Sequence, residues 1–241
     1  MNTFKKLLIG GAVVVPAAFA ATTATAQVSG IAFSDPESVI LSAKALDAAN
    51  QTIATTYKAQ LDQARARQQA LDTELQALIA PIDTNKDKQL SDAEVQAAQA
   101  AKNPALAKLE AAQKAGQQEV GRLRQPATLA QAYAIEQIAM KYDAAMKAVV
   151  AAKKVSLLLS AGTIQYNAPD ADLTDEIKAE LDRQTPTVSV TPPANWQPSQ
   201  QTGQLFQRYQ QLVYYSAMQR QQGAAAAPGA ATPAKPAPQG R

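Results

Sequence analysis

The feature that most constrains this chain is a helix-forming stretch over residues 36–154 held between strand-like runs. Val28-Ser29-Gly30-Ile31-Ala32-Phe33 precedes it, and Val155-Ser156-Leu157-Leu158-Leu159 and Thr163-Ile164-Gln165-Tyr166 follow it. Strands so far apart pair only if the intervening helix doubles back. The predicted fold is mainly α with a small β base: a long antiparallel helical hairpin, or arm, projecting from a short-stranded oligomerisation base. A hairpin of that length lacks the bulk for a globular core, so its surface is what the protein uses.

The ascending half spans residues 36 to about 80. Asp35 is placed to cap it, with Pro36 at the first helical position. Val39, Ala43, Leu46, Asn50, Ile53, Tyr57, Leu61, Ala64, Gln68, Leu71, Leu75 and Leu78 recur at spacings of three and four, a heptad-like stripe. Pro81 ends the helix, and Asn103-Pro104 ends a short one after it. The descending half, residues 105–154, continues the stripe through Leu106, Leu109, Gln113, Gly116, Val120, Leu123, Ala127, Ala130, Ala134, Ile138 and Ala145. Gly116 and Gly121 are expected to weaken it by roughly 1 kcal/mol each, and Pro126 to kink it. At 1.5 Å per residue both halves are roughly 65–75 Å long, so their ends meet at one base. Residues 81–104 are then a separate tip element.

Residues 1–26 read as a signal peptide: Lys5 and Lys6, an apolar run, then Ala24-Thr25-Ala26 before Gln27. After cleavage no transmembrane anchor is expected, and the expected location is the periplasm. The chain has no histidine and no cysteine. Triads, cysteine nucleophiles and the usual zinc sites lose their groups, which argues against an enzyme. The net charge of +3 includes Lys5 and Lys6, and the arm carries 15 basic against 13 acidic residues between positions 36 and 154. No nucleic-acid footprint follows from such a balance.

Residues 155–190 are assigned to base strands and a short acidic helix from Asp172 to about Gln184, with an edge strand at Thr187-Val188-Ser189-Val190. Residues 191–221 read as a Pro-rich linker and an amphipathic helix bearing Leu205, Phe206, Tyr209, Leu212, Val213 and Met218. Docking of that helix on its own chain is favoured. Residues 222–241, rich in Ala and Pro, are expected to be disordered. Tyr133, Met140, Tyr142 and Met146 are expected to pack at the arm root. Val155, Leu157, Leu159, Ile164 and Tyr166 alternate as one buried face, and with Ile31 and Phe33 they form the candidate oligomerisation base. Two strands alone are marginal in water, which itself favours association.

In the tip, Asp83, Asn85, Asp87, Gln89, Ser91 and Glu94 fall at positions 1, 3, 5, 7, 9 and 12 of an EF-hand-like loop, a candidate calcium site. Lys88 stands at the sixth position, where glycine is expected, and needs a positive φ there. The competing reading is an Asp/Asn-rich turn in which Ser91 or Asp92 caps the next helix and Glu94 completes a capping box. Both remain open at the level of sequence.

The run Ile31-Ala32-Phe33-Ser34-Asp35-Pro36-Glu37-Ser38-Val39-Ile40, the Gln/Ala-rich hairpin and the closing Val155-Ser156-Leu157-Leu158-Leu159-Ser160-Ala161-Gly162-Thr163-Ile164-Gln165-Tyr166-Asn167 resemble the Skp/OmpH family of periplasmic chaperones over about residues 27–184. The resemblance implies a homotrimer whose arms enclose unfolded outer-membrane proteins, without ATP or a required cofactor. The tip loop and the extension after Gln184 lie outside it. Two other readings stand beside the chaperone: a calcium-binding envelope protein working through the tip, and a structural coiled-coil spacer.

Overall fold

The computed structural model describes residues 30–166 and 168–226, with side chains described to residue 222. The expected signal peptide, the start of the first strand at 27–29 and the tail from 227 lie outside the described residues. Strand β1 (Ile31–Ser34) pairs in parallel with β2 (Leu157–Ser160), Ile31 opposite Leu157 and Ser34 opposite Ser160. A parallel pair cannot be closed by a tight turn; here the whole hairpin is the crossover. Gly30 enters β1 at φ +59°, and its carbonyl accepts the amides of Ser156 at 2.7 Å and Leu157 at 2.9 Å.

Two expected strands are absent. Residues Ala161–Thr163 form a 3-10 turn, with the Thr163 hydroxyl bonded to the Ser160 carbonyl at 2.7 Å, so Thr163–Tyr166 does not pair. Residues 187–190 are also not a strand. The Gln137 side chain takes the place of a strand partner there, accepting from Ser189 N–H at 3.1 Å and donating to its carbonyl at 2.8 Å.

The ascending half is three helices: α1 (Pro36–Leu41), α2 (Lys44–Thr56) and α3 (Lys58–Ile79). Asp35 caps α1 as expected, accepting from Ser38 N–H at 3.0 Å. The first break, at Ser42-Ala43, leaves α2 without a local cap. Asp182, far along the chain, accepts the Lys44 N–H at 2.8 Å and puts a carboxylate at the positive helix end. The second break is at Tyr57, whose hydroxyl donates to the Val190 carbonyl at 3.1 Å. The tip holds α4 (Asp92–Ala100). Then α5 (Pro104–Lys153), N-capped by Asn103, runs unbroken through Pro126 and stops at Lys154, whose left-handed φ of 55° lets Val155 N–H reach the Val150 carbonyl at 3.0 Å.

All the predicted stripe positions of the ascending half are buried or half-buried; on α5 only Gln113 is exposed. The core concentrates at the arm root. Leu173, just before helix α6 (Thr174–Gln184), and Ile177 and Leu181 on it are fully buried; α6 packs on α5 and α1, which bring Ile135, Ile138 and Val39 to the same core, joined by Leu46 of α2. Each such side chain contributes about 1.5–3 kcal/mol by leaving water. Tyr142 and Met146 join this core and Tyr133 packs on Trp196, but Met140 is 74% exposed. Helix α7 (Gln200–Ala226) buries Leu205 and half-buries Phe206 and Tyr209, then projects with Leu212, Val213, Tyr214 and Tyr215 exposed. Helix therefore continues past position 222, where disorder was expected.

Gly116 is not simply a weak point. Leu71, 1% exposed, is seated directly over it; a Cβ added there would lie 2.4 Å from Leu71 Cδ1. Gly121 faces open space.

Candidate functional site

Three regions hold the candidate residues: the base edge, the tip and the root of the hairpin. At the base, β1 is covered on its outer side, where Phe33 bridges Asp172 and its carbonyl accepts from Leu173 N–H at 2.9 Å. Among the described residues no other strand pairs with β2. The proposed base residues split accordingly. Phe33 is buried, and Val155, Leu159 and Ile164 are half-buried. Ile31 is 55% exposed, Leu157 49% and Tyr166 89%. The alternating face predicted to be buried is thus not buried within one chain. Its apolar groups stand beside an open strand edge, a combination that soluble proteins ordinarily cover.

At the tip the capping-box reading holds. Ser91 caps α4, accepting from Glu94 N–H at 3.3 Å, and Glu94 Oε2 accepts the Ser91 N–H at 3.0 Å and its hydroxyl at 2.8 Å. Glu94 Oε1 accepts from Thr84 N–H at 2.7 Å, the Thr84 hydroxyl at 2.8 Å and Asn85 N–H at 3.2 Å. Five donors on one carboxylate favour its charged form. Led by the Ser91 amide and hydroxyl and then by Thr84, they lower its pKa to about 2. The other loop oxygens also face backbone: Asp83 accepts from Lys86 N–H at 2.6 Å and Lys88 N–H at 2.7 Å, Asn85 from Asp87 N–H and Asp87 from Gln89 N–H. The Gln89 side chain is exposed. Lys86 and Lys88 both adopt positive φ, 62° and 65°, so the sixth loop position has the left-handed geometry that the spacing demands despite its lysine. No cluster of three or more acidic groups placed to hold a metal occurs among the described residues.

The root region was largely missed by sequence reasoning. Glu136, half-buried on α5, accepts from Trp196 Nε1 at 3.0 Å, the Thr202 hydroxyl at 2.5 Å and Ser199 N–H at 3.4 Å. Burial raises its pKa, but the bonds from Thr202, Trp196 and Ser199 outweigh that and leave it below the usual value. The Trp196 ring meets Tyr133 edge-on with centroids 5.1 Å apart. Further along, Asn50 Nδ2 donates to the Tyr209 oxygen at 2.9 Å, and Gln131 Nε2 donates to Asn50 Oδ1 at 2.7 Å. Burial raises the Tyr209 pKa, partly offset by the Asn50 bond. The polar Asn50 inside an apolar stripe was the one sequence sign of this network. Beside it lies a cleft of about 350 Å³, open to solvent and lined by Asn50, Ile53, Leu61, Arg124, Ala127 and Tyr209. No described helix is long and apolar enough to cross a membrane.

Residues 30–181 match the model of the family described as outer membrane protein (OmpH-like). A crystal structure of an OmpH-like protein from Caulobacter crescentus CB15, whose description suggests an outer membrane chaperone, is 27% identical, covers 66% of this chain and 88% of its own, and superposes with a TM-score of 0.39. No curated protein matches.

Proposed function

The chain belongs to the OmpH-like outer membrane protein family, and from this we propose that it is a periplasmic chaperone that holds unfolded outer-membrane β-barrel proteins, without ATP, between the arms of a homotrimer. The observation that carries the assembly is the base: an open β2 edge flanked by exposed Ile31, Leu157 and Tyr166. Edges and apolar groups from further copies would cover one another there, leaving the arms to hang from a common root.

Unfolded β-barrel chains expose strand edges and apolar faces that aggregate in water. Arm surfaces rich in Ala and Gln offer many weak contacts in place of one deep pocket. Weak multivalent contact retains a client yet releases it when its own folding removes the exposed surface. The proposal is tested by diluting a urea-unfolded outer-membrane β-barrel protein into buffer with and without this protein, with no nucleotide, and following light scattering. Suppressed scattering is expected; undiminished aggregation overturns the chaperone reading, and a monomeric mass in solution overturns the trimer.

A second reading concerns the tip alone. The left-handed Lys88 favours a calcium loop, but Glu94 would have to exchange its five donors for the ion, so only weak binding is proposed. Calorimetry at millimolar calcium decides it: no heat and no change in melting removes the idea.

A further inference from the structure

We propose that residues 188–209 form a clasp that fixes the angle of the arm at its root. The clasp grips both halves of the hairpin. On the ascending side it takes Tyr57 through the Val190 carbonyl, Asn50 through Tyr209, and Glu37 through Arg208 at 3.4 Å. On the descending side it takes Gln137 through Ser189, and Glu136 through Trp196, Ser199 and Thr202. Gln131 joins the two sides by donating to Asn50. The clasp's own Val190, Thr202 and Leu205 are buried, with Val190 and Leu205 in the core, so the segment is packed as well as tethered.

Its position gives it a mechanical role. The hairpin's facing residues are set by Asn50 beside Gln131 on one side and by the Arg67–Glu119 ion pair at 2.6 Å on the other. Between these two levels the ascending half breaks its helix at Tyr57, and the descending half carries Pro126. Proline leaves the Arg122 carbonyl without its helical donor. A helix break facing a proline is a hinge line, and the open cleft lined by Ile53, Leu61, Arg124 and Ala127 lies at the same height. The clasp sits on the root side of this line and ties Tyr57, a hinge residue, directly to itself. Bending toward or away from the cleft must therefore break clasp contacts. This inference concerns the arm's geometry and does not depend on what the arm holds.

The absence of native cysteine allows site-directed spin labels on the full-length protein. Lys114→Cys and Ala144→Cys, both exposed, place labels on α5 on either side of Pro126, about 45 Å apart along a straight helix. Pulsed electron–electron distance measurement should give a narrow distribution in the parent. Glu136→Ala with Tyr209→Phe removes the acceptor of three bonds and the Asn50 partner without opening the apolar core; the distribution is expected to broaden at least twofold and move to shorter distances. Tyr214→Ala with Tyr215→Ala, on the projecting part of α7, is expected to leave it unchanged. An unchanged width in the clasp variant, or equal broadening in both, overturns the proposal. Should the clasp variant lose helicity, the milder Gln137→Ala is read by the same criterion.

Discussion

Gly116 and Gly121 lie on one helix, five residues apart, and are expected to respond oppositely to alanine. Mid-helix glycine costs roughly 1 kcal/mol relative to alanine, so propensity alone favours both substitutions equally. At Gly121 nothing lies within 4 Å of the added methyl, so the gain should be realised: about 1 kcal/mol, or roughly 2–4 °C in Tm for a chain of this size. At Gly116 the methyl would stand 2.4 Å from Leu71 Cδ1, 2.6 Å from Cδ2 and 2.9 Å from Cγ. Carbon atoms pack at about 3.5–4.0 Å, so the whole isobutyl group must move by about 1 Å. Leu71 is 1% exposed, so its side chain is enclosed by the protein on all sides. The helices must part or Leu71 must leave its rotamer, an overpacking cost of about 1–3 kcal/mol. Set against the propensity gain, Gly116→Ala should lie between neutral and about 2 kcal/mol destabilising, and should fall below Gly121→Ala by about 1–3 kcal/mol.

Leu71→Ala supplies the internal check. Alone it should cost about 2–5 kcal/mol. Combined with Gly116→Ala it should cost less than the two effects added, because the new methyl then enters the space Leu71 vacated. The assay is far-UV circular dichroism during thermal melting, at one fixed protein concentration because association shifts Tm. If Gly116→Ala stabilises as much as Gly121→Ala, or if the double variant is strictly additive, the seating of Leu71 on Gly116 is wrong.

The remaining predictions concern the tip, the root and the base. Glu94 has a folded pKa of about 2, below its ordinary 4.5, so its contribution to tip stability is present above pH 4.5 and is lost as pH falls from there toward 2. Hydrogen exchange of α4 amides across that window should show the loss, and Glu94→Gln should raise exchange at pH 7 and flatten the acid dependence. Ile177→Ala, at a fully buried site between α6 and α5, should cost about 2–5 kcal/mol, measured by chemical denaturation. Leu157→Glu, at a half-exposed base position, should leave the helical signal unchanged but reduce the solution mass measured by light scattering; an unchanged mass would place the association surface elsewhere.

The arm was legible in the sequence because two antiparallel helices bury one stripe each, and that stripe repeats every three to four residues. From Val39 to Leu78 every position read as inward is covered. The capping box was legible because Ser91 and Glu94 are local. What escaped depends on residues remote in the chain. The break before α2 is stabilised by Asp182, and the break at Tyr57 by Val190. Thr163–Tyr166 and Thr187–Val190 have strand-like composition, but strand preference depends on an available partner. One segment turns back on Ser160 and the other finds its hydrogen bonds on Gln137. Glu136 was invisible as a site because its donors lie 60 residues and more away. The two glycines looked alike in sequence because only the facing helix tells them apart.

Support for the hairpin falls along its length, and that gradient explains why a clasp is useful where it is. At the root, α1, α2, α5 and α6 close around Ile135, Ile138 and Ile177, with the first turns of α7 added. Beyond Tyr57 and Pro126, among the described residues, α3 and α5 continue as a two-helix section with Ala64, Leu71, Gly116 and Val120 as buried positions, and at the tip Ile82 and Ala98 are buried again. Long helices with one narrow apolar seam gain little from propensity and depend on that seam for order. A load on the distal arm therefore acts with long leverage on the hinge line, where the cleft leaves the packing thin. Apolar burial alone resists such bending poorly, since it is non-directional. Hydrogen bonds from Trp196, Thr202 and Asn50 are directional and fail steeply with misalignment. Placing them across the root gives angular stiffness there while leaving the two-helix section free to yield.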